Sequence, residues 1–209
     1  RDTSVTGVQT CALPISFDLV THKSEGVLIA EFEQRPSDAI SLEGFALAAH
    51  QAIQRIQRQP GVEDLLTLAV DEIARITGFD RVMAYRFLHD DSGEVVAEHK
   101  RDDLEPFLGQ RYPASDIPAQ ARRLYVINPI RLIADVSAAT VALEPDHNPL
   151  TGGPLDLSHS MLRSVSPVHI EYLSNMGVGA SMSLSIVIGE RLWGLIACHH
   201  MTAHLVPHA

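Results

Sequence analysis

Hydrophobic positions along the chain change period repeatedly, and the changes mark out a sequence of elements. Phe17-Asp18-Leu19-Val20 and Val27 to Phe32 are β-type runs around a Ser24-Glu25-Gly26 turn signal, which predicts a hairpin. From Gly44 to Gln59 the apolar residues Phe45, Leu47, Ala48, Ile53 and Ile56 recur at helical spacing. A second helical face, Leu65, Leu66, Ala69, Val70, Ile73 and Ile76, opens at Gly61-Val62 and stops at Thr77-Gly78, where a glycine suits a helix C-terminus. Arg81 to Leu88 then alternates, with Val82 and Ala84 on one face and Met83, Tyr85 and Phe87 on the other. Asp90-Asp91-Ser92-Gly93 predicts a turn into a strand from Glu94 to His99.

The next stretch, Tyr112-Pro113-Ala114-Ser115-Asp116-Ile117-Pro118, is irregular by construction. Each proline fixes its own φ and pushes the residue before it toward extended geometry. Asp116 and the Ile117 carbonyl are therefore presented rather than absorbed into a ladder. The other reading is an ordinary loop with Asp116 as a cap. Pro118 suits a first helical turn, and the spacing predicts a helix over 117–126 carrying Ala121, Leu124 and Tyr125. A strand is expected from Arg131 to Val136, with Arg131 and Asp135 on one side and able to pair. Residues 137–165 are rich in Pro, Gly, Asn and Asp and lack a period, which predicts a long functional or disordered loop. Ser166-Pro167 has the order of an N-cap and first-turn proline, opening a helix in which His169 and Tyr172 share a face. Ser181, Ser183 and Ser185 alternate with Met182, Leu184 and Ile186 in a strand, and a last strand runs from Leu192 to His199. The whole reads as an α+β fold, an antiparallel sheet flanked by helices.

Composition narrows the chemistry. The 209 residues suffice for one domain or one domain and part of another, and no apolar run is long enough to cross a bilayer. A formal net charge of −10 with interspersed signs argues against a nucleic-acid surface. Cys11 and Cys198 cannot form a disulfide framework or a four-cysteine zinc site, which favours a cytoplasmic setting. Neither a Gly-rich phosphate loop nor a nucleophile elbow is present, so no catalytic residue is assigned. Polar residues on otherwise apolar elements form a different inventory: Arg131 and Arg163, Ser166, Ser181 and Ser183, His169 and His199, and Asp116, among Tyr85, Tyr112, Tyr125 and Tyr172. Arginines with hydroxyls suit carboxylate or phosphate groups, and aromatic and Met faces suit a flat apolar body. A zinc hydrolase built on His199, His200, His204 and His208 is disfavoured, because no acid stands in a general-base position and His199-His200 falls in a strand.

Four motifs, Tyr112 to Pro118, Arg163-Ser-Val-Ser-Pro-Val-His169, Tyr172-Leu-Ser-Asn-Met-Gly177 and Leu192 to His200, together resemble the chromophore-binding GAF domain of bacterial phytochromes, from about Gly44 to His200. The resemblance implies residues 44–209 as the GAF domain, cut before its end, residues 17–35 as the end of a PAS domain, 36–43 as a linker and 1–16 as a segment foreign to the fold. It implies a linear tetrapyrrole, biliverdin, and red/far-red light sensing, with a histidine kinase and response regulator downstream and a homodimer in the full-length form. In that family the Asp116 carbonyl would face the pyrrole nitrogens, with Ile117, Pro118, Tyr112 and Tyr125 along the ring system. Arg131 and Arg163 would hold propionates, with Ser166, Ser181, Ser183 and His169 nearby, and Met83, Tyr85, Tyr172 and His199 would surround the isomerising ring. Val168 stands where plant-type members carry their attachment cysteine, and the bacterial attachment cysteine ahead of the PAS domain has no equivalent. The resemblance therefore implies non-covalent pigment at best and weak or no photoconversion. A GAF module binding a cyclic nucleotide is the alternative.

Overall fold

In this computed structural model the described residues are 17–34 and 42–206. The expectations for residues 1–16, for residues 36–41 of the linker and for His208 lie outside them, and the helix that starts at Leu42 takes in the linker's last two residues. Strands β1 (Phe17–Ser24) and β2 (Val27–Gln34) pair in register as a separate two-stranded sheet. Their turn uses Glu25 at φ 45° and Gly26 at φ 85°, the doubly left-handed geometry that matches the twist of a two-residue hairpin.

Helices α1 (Leu42–Ile56) and α2 (Val62–Thr77) follow. α2 ends as its sequence dictates: Gly78 adopts φ 74° and its N–H donates to the Ala74 carbonyl. Buried Leu66, Val70 and Ala74 then press onto Val82, Ala84, Met182, Ile196 and Cys198 of the main sheet. Each large side chain in that layer contributes roughly 1.5–3 kcal/mol by leaving water. α1 is tied to α2 by Arg55, whose Nε and Nη2 donate to the Glu72 carboxylate at 2.7 and 2.8 Å.

The main sheet is antiparallel and six-stranded, in the order β5-β4-β3-β8-β7-β6. Its members are β3 (Arg81–Phe87), β4 (Gly93–Lys100), β5 (Arg111–Tyr112), β6 (Ile130–Ile133), β7 (Ala180–Ile188) and β8 (Arg191–His200). One face is covered by α2, the other by α3 (Ala119–Ile127), α4 (Pro167–Asn175) and the loops around them. α4 is pinned by Leu173, 1% exposed, against Ile133, Val136 and Val178.

Three local expectations are corrected. α3 begins at Ala119, with Pro118 as its N-cap residue at ψ 159° rather than inside the first turn, and no side chain caps it, so Asp116 is not a cap. β6 stops at Ile133, because Asp135 turns back to accept from the Ser137 N–H at 2.8 Å and hydroxyl at 2.6 Å. The Arg131–Asp135 pair accordingly does not form. The long loop of 137–165 is held by its own turns and by the β1–β2 hairpin, where the Asn148 side-chain amide donates to the Glu25 carbonyl at 3.3 Å.

Candidate functional site

The face of the sheet opposite α2 floors a cavity of about 650 Å³. The antiparallel register sets its floor in rows. Arg131 pairs with Ser183, Ser183 with Ala197 and Ala197 with Met83, so these four side chains cross the sheet in line. Ser181 lies beside His199 in the adjacent row, and Tyr85 beside Leu195 on the far side. Alternation explains the selection: the intervening residues Val82, Ala84, Met182, Ile196 and Cys198 face α2.

The walls come from irregular segments and helix ends. Tyr112 and Asp116-Ile117-Pro118 close one side, Leu124 and Tyr125 of α3 the next, and Arg163, Ser166, His169 and Tyr172 the third. All fifteen residues singled out from the sequence as ligand-binding therefore line one space: Met83, Tyr85, Tyr112, Asp116, Ile117, Pro118, Tyr125, Arg131, Arg163, Ser166, His169, Tyr172, Ser181, Ser183 and His199. They differ in access, from Tyr125, Ser181, Ser183 and His199, all buried, to Asp116 and Tyr172 at the exposed rim. Cavity residues that sequence reasoning passed over include Val95, Phe107, Asn128, Leu195 and Ala197. Leu195 and Ala197 were readable in principle, since they share the alternation of His199. Phe107 was not, because it enters from a loop without a period.

Charge is arranged at one end. Arg131 Nη2 donates to the Tyr125 hydroxyl at 2.6 Å and to His169 Nε2 at 3.1 Å, and its guanidinium stacks 4.9 Å over the Tyr125 ring. To accept that bond His169 must be neutral with its proton on Nδ1. Burial, reinforced by the Arg131 charge, holds its pKa at about 4. Arg163 Nη1 donates to the Ser160 carbonyl and, with the Asn128 amide turned to the orientation that satisfies its neighbours, to the Asn128 side-chain oxygen at 3.0 Å. Burial and the like charge of Arg131 lower the Arg163 pKa. Among the described residues neither guanidinium pairs with a carboxylate. Two cations facing the same space without an acid between them suit an anionic ligand.

The deeper end is apolar with a few polar atoms. Burial also lowers His199 to about 4, with Arg81 and His169 adding to it, so its ring is neutral. His199 Nδ1 and Ser183 Oγ are buried and have no hydrogen-bond partner among the described residues, which leaves both for a ligand. The Tyr85 hydroxyl is pushed up to about 12 by burial and then by the Asp116 charge, so it remains a donor. On the same face of the sheet, at the cavity's edge, Arg81 pairs with Glu98 at 2.9 Å, both side chains buried, and Glu98 also accepts the Phe107 and Leu108 N–H groups at 2.9 and 3.0 Å. This staple holds the Phe107 loop against the sheet.

The described histidines considered for a zinc site, His199, His200 and His204, do not converge. His199 faces the cavity, whereas His200 stacks on His204 at 4.3 Å on the far face, beside Phe79, and His200 Nδ1 lies 3.1 Å from Asp80. No group of three metal-ligating side chains is found among the described residues. Cys198 is fully buried on the α2 side, and burial raises its thiol pKa, so no thiol among the described residues reaches the cavity.

The sequence profile of the GAF domain matches residues 61–209. The chain belongs to the GAF domain family. The GAF profile begins at the N-cap of α2, and α1, which packs on α2, precedes it. Over 192 residues the chain is 58% identical to a bacteriophytochrome of Pseudomonas aeruginosa, covering 92% of this chain and 26% of the relative. It is 48% identical over 195 residues to a phytochrome-like protein of Synechocystis sp., with 92% and 26% coverage. Among solved structures, a bacteriophytochrome from the photosynthetic bacterium R. palustris superposes with a TM-score of 0.87 at 44% identity, over 92% of this chain and 38% of that one. The chromophore-binding domain of a Stigmatella aurantiaca bacteriophytochrome gives 0.84 at 42%, over 92% and 63%. The chain thus spans about a quarter of the length of the curated relatives it matches, 26% in both cases.

Proposed function

We propose that this GAF domain holds a linear tetrapyrrole, biliverdin, and serves as the light-sensing part of a red/far-red photoreceptor. The observation that carries the reading is the cavity's polarity: two guanidiniums that make no ion pair with a carboxylate among the described residues stand at one end of an apolar, aromatic-lined space, with two buried polar atoms inside it that have no partner among those residues. A flat conjugated body with two carboxylate arms fits that donor set. A single phosphate, as in a cyclic nucleotide, would leave most of the apolar wall unused. The similarity to bacteriophytochromes and to their chromophore-binding domain supports the same reading.

When bound, the pigment supplies absorption of red light and rotation about one double bond. The chain's own residues bind, orient and enclose it. Arg131 and Arg163 hold the two carboxylates, and Ser166, Ser181, Ser183 and the neutral His169 complete their surroundings. Met83, Tyr85, Tyr172 and His199 bound the far end, His199 offering one ring nitrogen. Tyr112, Ile117, Pro118 and Tyr125 would pack along the pigment's ring system, and Asp116 at the rim would present its carbonyl and its side chain to it. Contacts from the described residues are non-covalent, since the sole thiol among them is on the other side of the sheet.

Residues 44–209 form the GAF domain in this reading, with 17–35 the end of a preceding PAS domain and 36–43 the joint. The domain is a sensor rather than a catalyst, passing its state to a histidine kinase and response regulator in a dimeric, cytoplasmic protein. No helix of the described residues is long and apolar enough to cross a membrane. Expression with biliverdin followed by red-minus-far-red difference spectra tests the reading. Bound pigment with any reversible difference signal supports it, and a colourless protein refutes it.

A further inference from the structure

The β1–β2 hairpin touches the cavity only indirectly, yet one of its acids is placed on the backbone that aims a cavity arginine. Glu31 lies on the inner face of β2, opposite exposed neighbours Ala30 and Phe32. Its Oε1 accepts the Met161 N–H at 3.1 Å and its Oε2 the Leu162 N–H at 2.7 Å. The next residue is Arg163, which bends back to donate to the Ser160 carbonyl. The turn of residues 160–163 is thus gripped from outside by a carboxylate and closed from inside by the guanidinium that faces the cavity. Ser160 itself is buried, and its hydroxyl lies 3.5 Å from His22 Nε2 of β1. Glu31 is also the carboxylate whose negative charge opposes the burial cost of the Arg163 cation.

We propose that Glu31 is a positioning residue for the anion site: it does not touch the ligand, but fixes the turn from which Arg163 reaches a ligand carboxylate. The inference rests on the bilin reading for the identity of the anion, and on geometry alone for the hold on the turn. Glu31→Gln is the sharper variant, because it preserves shape while replacing one of the two accepting oxygens by an NH2 group that cannot accept. Glu31→Ala removes both.

The test titrates wild type, Glu31→Gln, Arg163→Met and the double variant with biliverdin and with biliverdin dimethyl ester, which lacks the carboxylates. A hydrogen bond to a charged acceptor corresponds to about tenfold in an equilibrium. Glu31→Gln should therefore weaken biliverdin by about tenfold, leave the diester within about twofold, and add less than about twofold once Arg163 is Met. Equal weakening of both ligands, or full additivity with Arg163→Met, overturns the proposal. If wild type takes up no biliverdin, the pigment reading fails, and amide exchange in the ligand-free chain decides the positioning claim by itself. Glu31→Gln should speed exchange of the Met161 and Leu162 amides by about tenfold while the β7 amides keep their rates. Unchanged exchange at both amides overturns it.

Discussion

Gly93 offers a test of the cavity wall that needs no ligand. It opens β4 opposite Tyr112 and lies under the Tyr85 ring. A Cβ at this position would stand 1.8 Å from Tyr85 Cζ, 1.9 Å from its hydroxyl oxygen and 2.2 Å from Cε1. Its backbone lies outside the left-handed region, so alanine carries no conformational penalty and slightly restricts the unfolded chain. The whole cost is therefore the collision. Restoring ordinary contact at 3.4 Å moves the ring by about 1.6 Å. Tyr85 packs edge-on to Phe87 at 5.3 Å and tilted to Tyr112 at 6.1 Å, which leaves the cavity as the open direction. Overpacking of this kind costs about 1–3 kcal/mol. For a chain of this size that lowers Tm by roughly 2–12 °C. Gly93→Ala should show that drop by calorimetry, whereas in a Tyr85→Val background the same change should cost less than about 0.5 kcal/mol, because the obstructing ring is gone. An equal loss in both backgrounds would refute the placement of Tyr85 against Gly93.

Arg131→Met should weaken biliverdin by about tenfold to a hundredfold, the worth of a charge-assisted hydrogen bond, and should raise the His169 pKa, followed by NMR titration; an unchanged affinity removes Arg131 from the anion site. Because His169 and His199 are held near 4 in the folded chain against about 6.5 when unfolded, the unfolded state takes up protons first as pH falls. Their contribution is complete above pH 6.5 and is lost progressively toward pH 4, so urea midpoints should fall over that window and His199→Gln should flatten the slope. Glu98→Ala leaves the buried Arg81 charge unpaired and frees two loop amides, and should cost about 3–5 kcal/mol in urea denaturation; a loss under about 1 kcal/mol would show that the staple is not stabilising.

Elements with a sustained period were legible in the sequence, and so were the side chains that the period aims. Met83 and Tyr85 on one face of β3, or Ser181 and Ser183 on one face of β7, follow from alternation once burial of the other face is granted. The gathering of fifteen residues into one cavity was legible only through linked motifs, because no periodicity relates Asp116 to His199. What failed did so where a side chain competed with the ladder: alternation carried β6 through Asp135, whereas that carboxylate is satisfied within its own turn by Ser137. β5 was missed because two residues have no period. The Glu31 grip on Met161 and Leu162 spans about 130 residues of sequence and involves backbone donors, which no residue pattern can announce.

The central claim is that the cavity above β3, β8, β7 and β6 holds a dicarboxylate tetrapyrrole, and calorimetric titration of the chain with biliverdin, set beside cyclic nucleotides, tests it most directly. The account predicts saturable one-to-one binding of biliverdin that Arg131→Met and Arg163→Met each weaken, and no heat from cyclic nucleotides. Binding of a cyclic nucleotide with no uptake of biliverdin would contradict it.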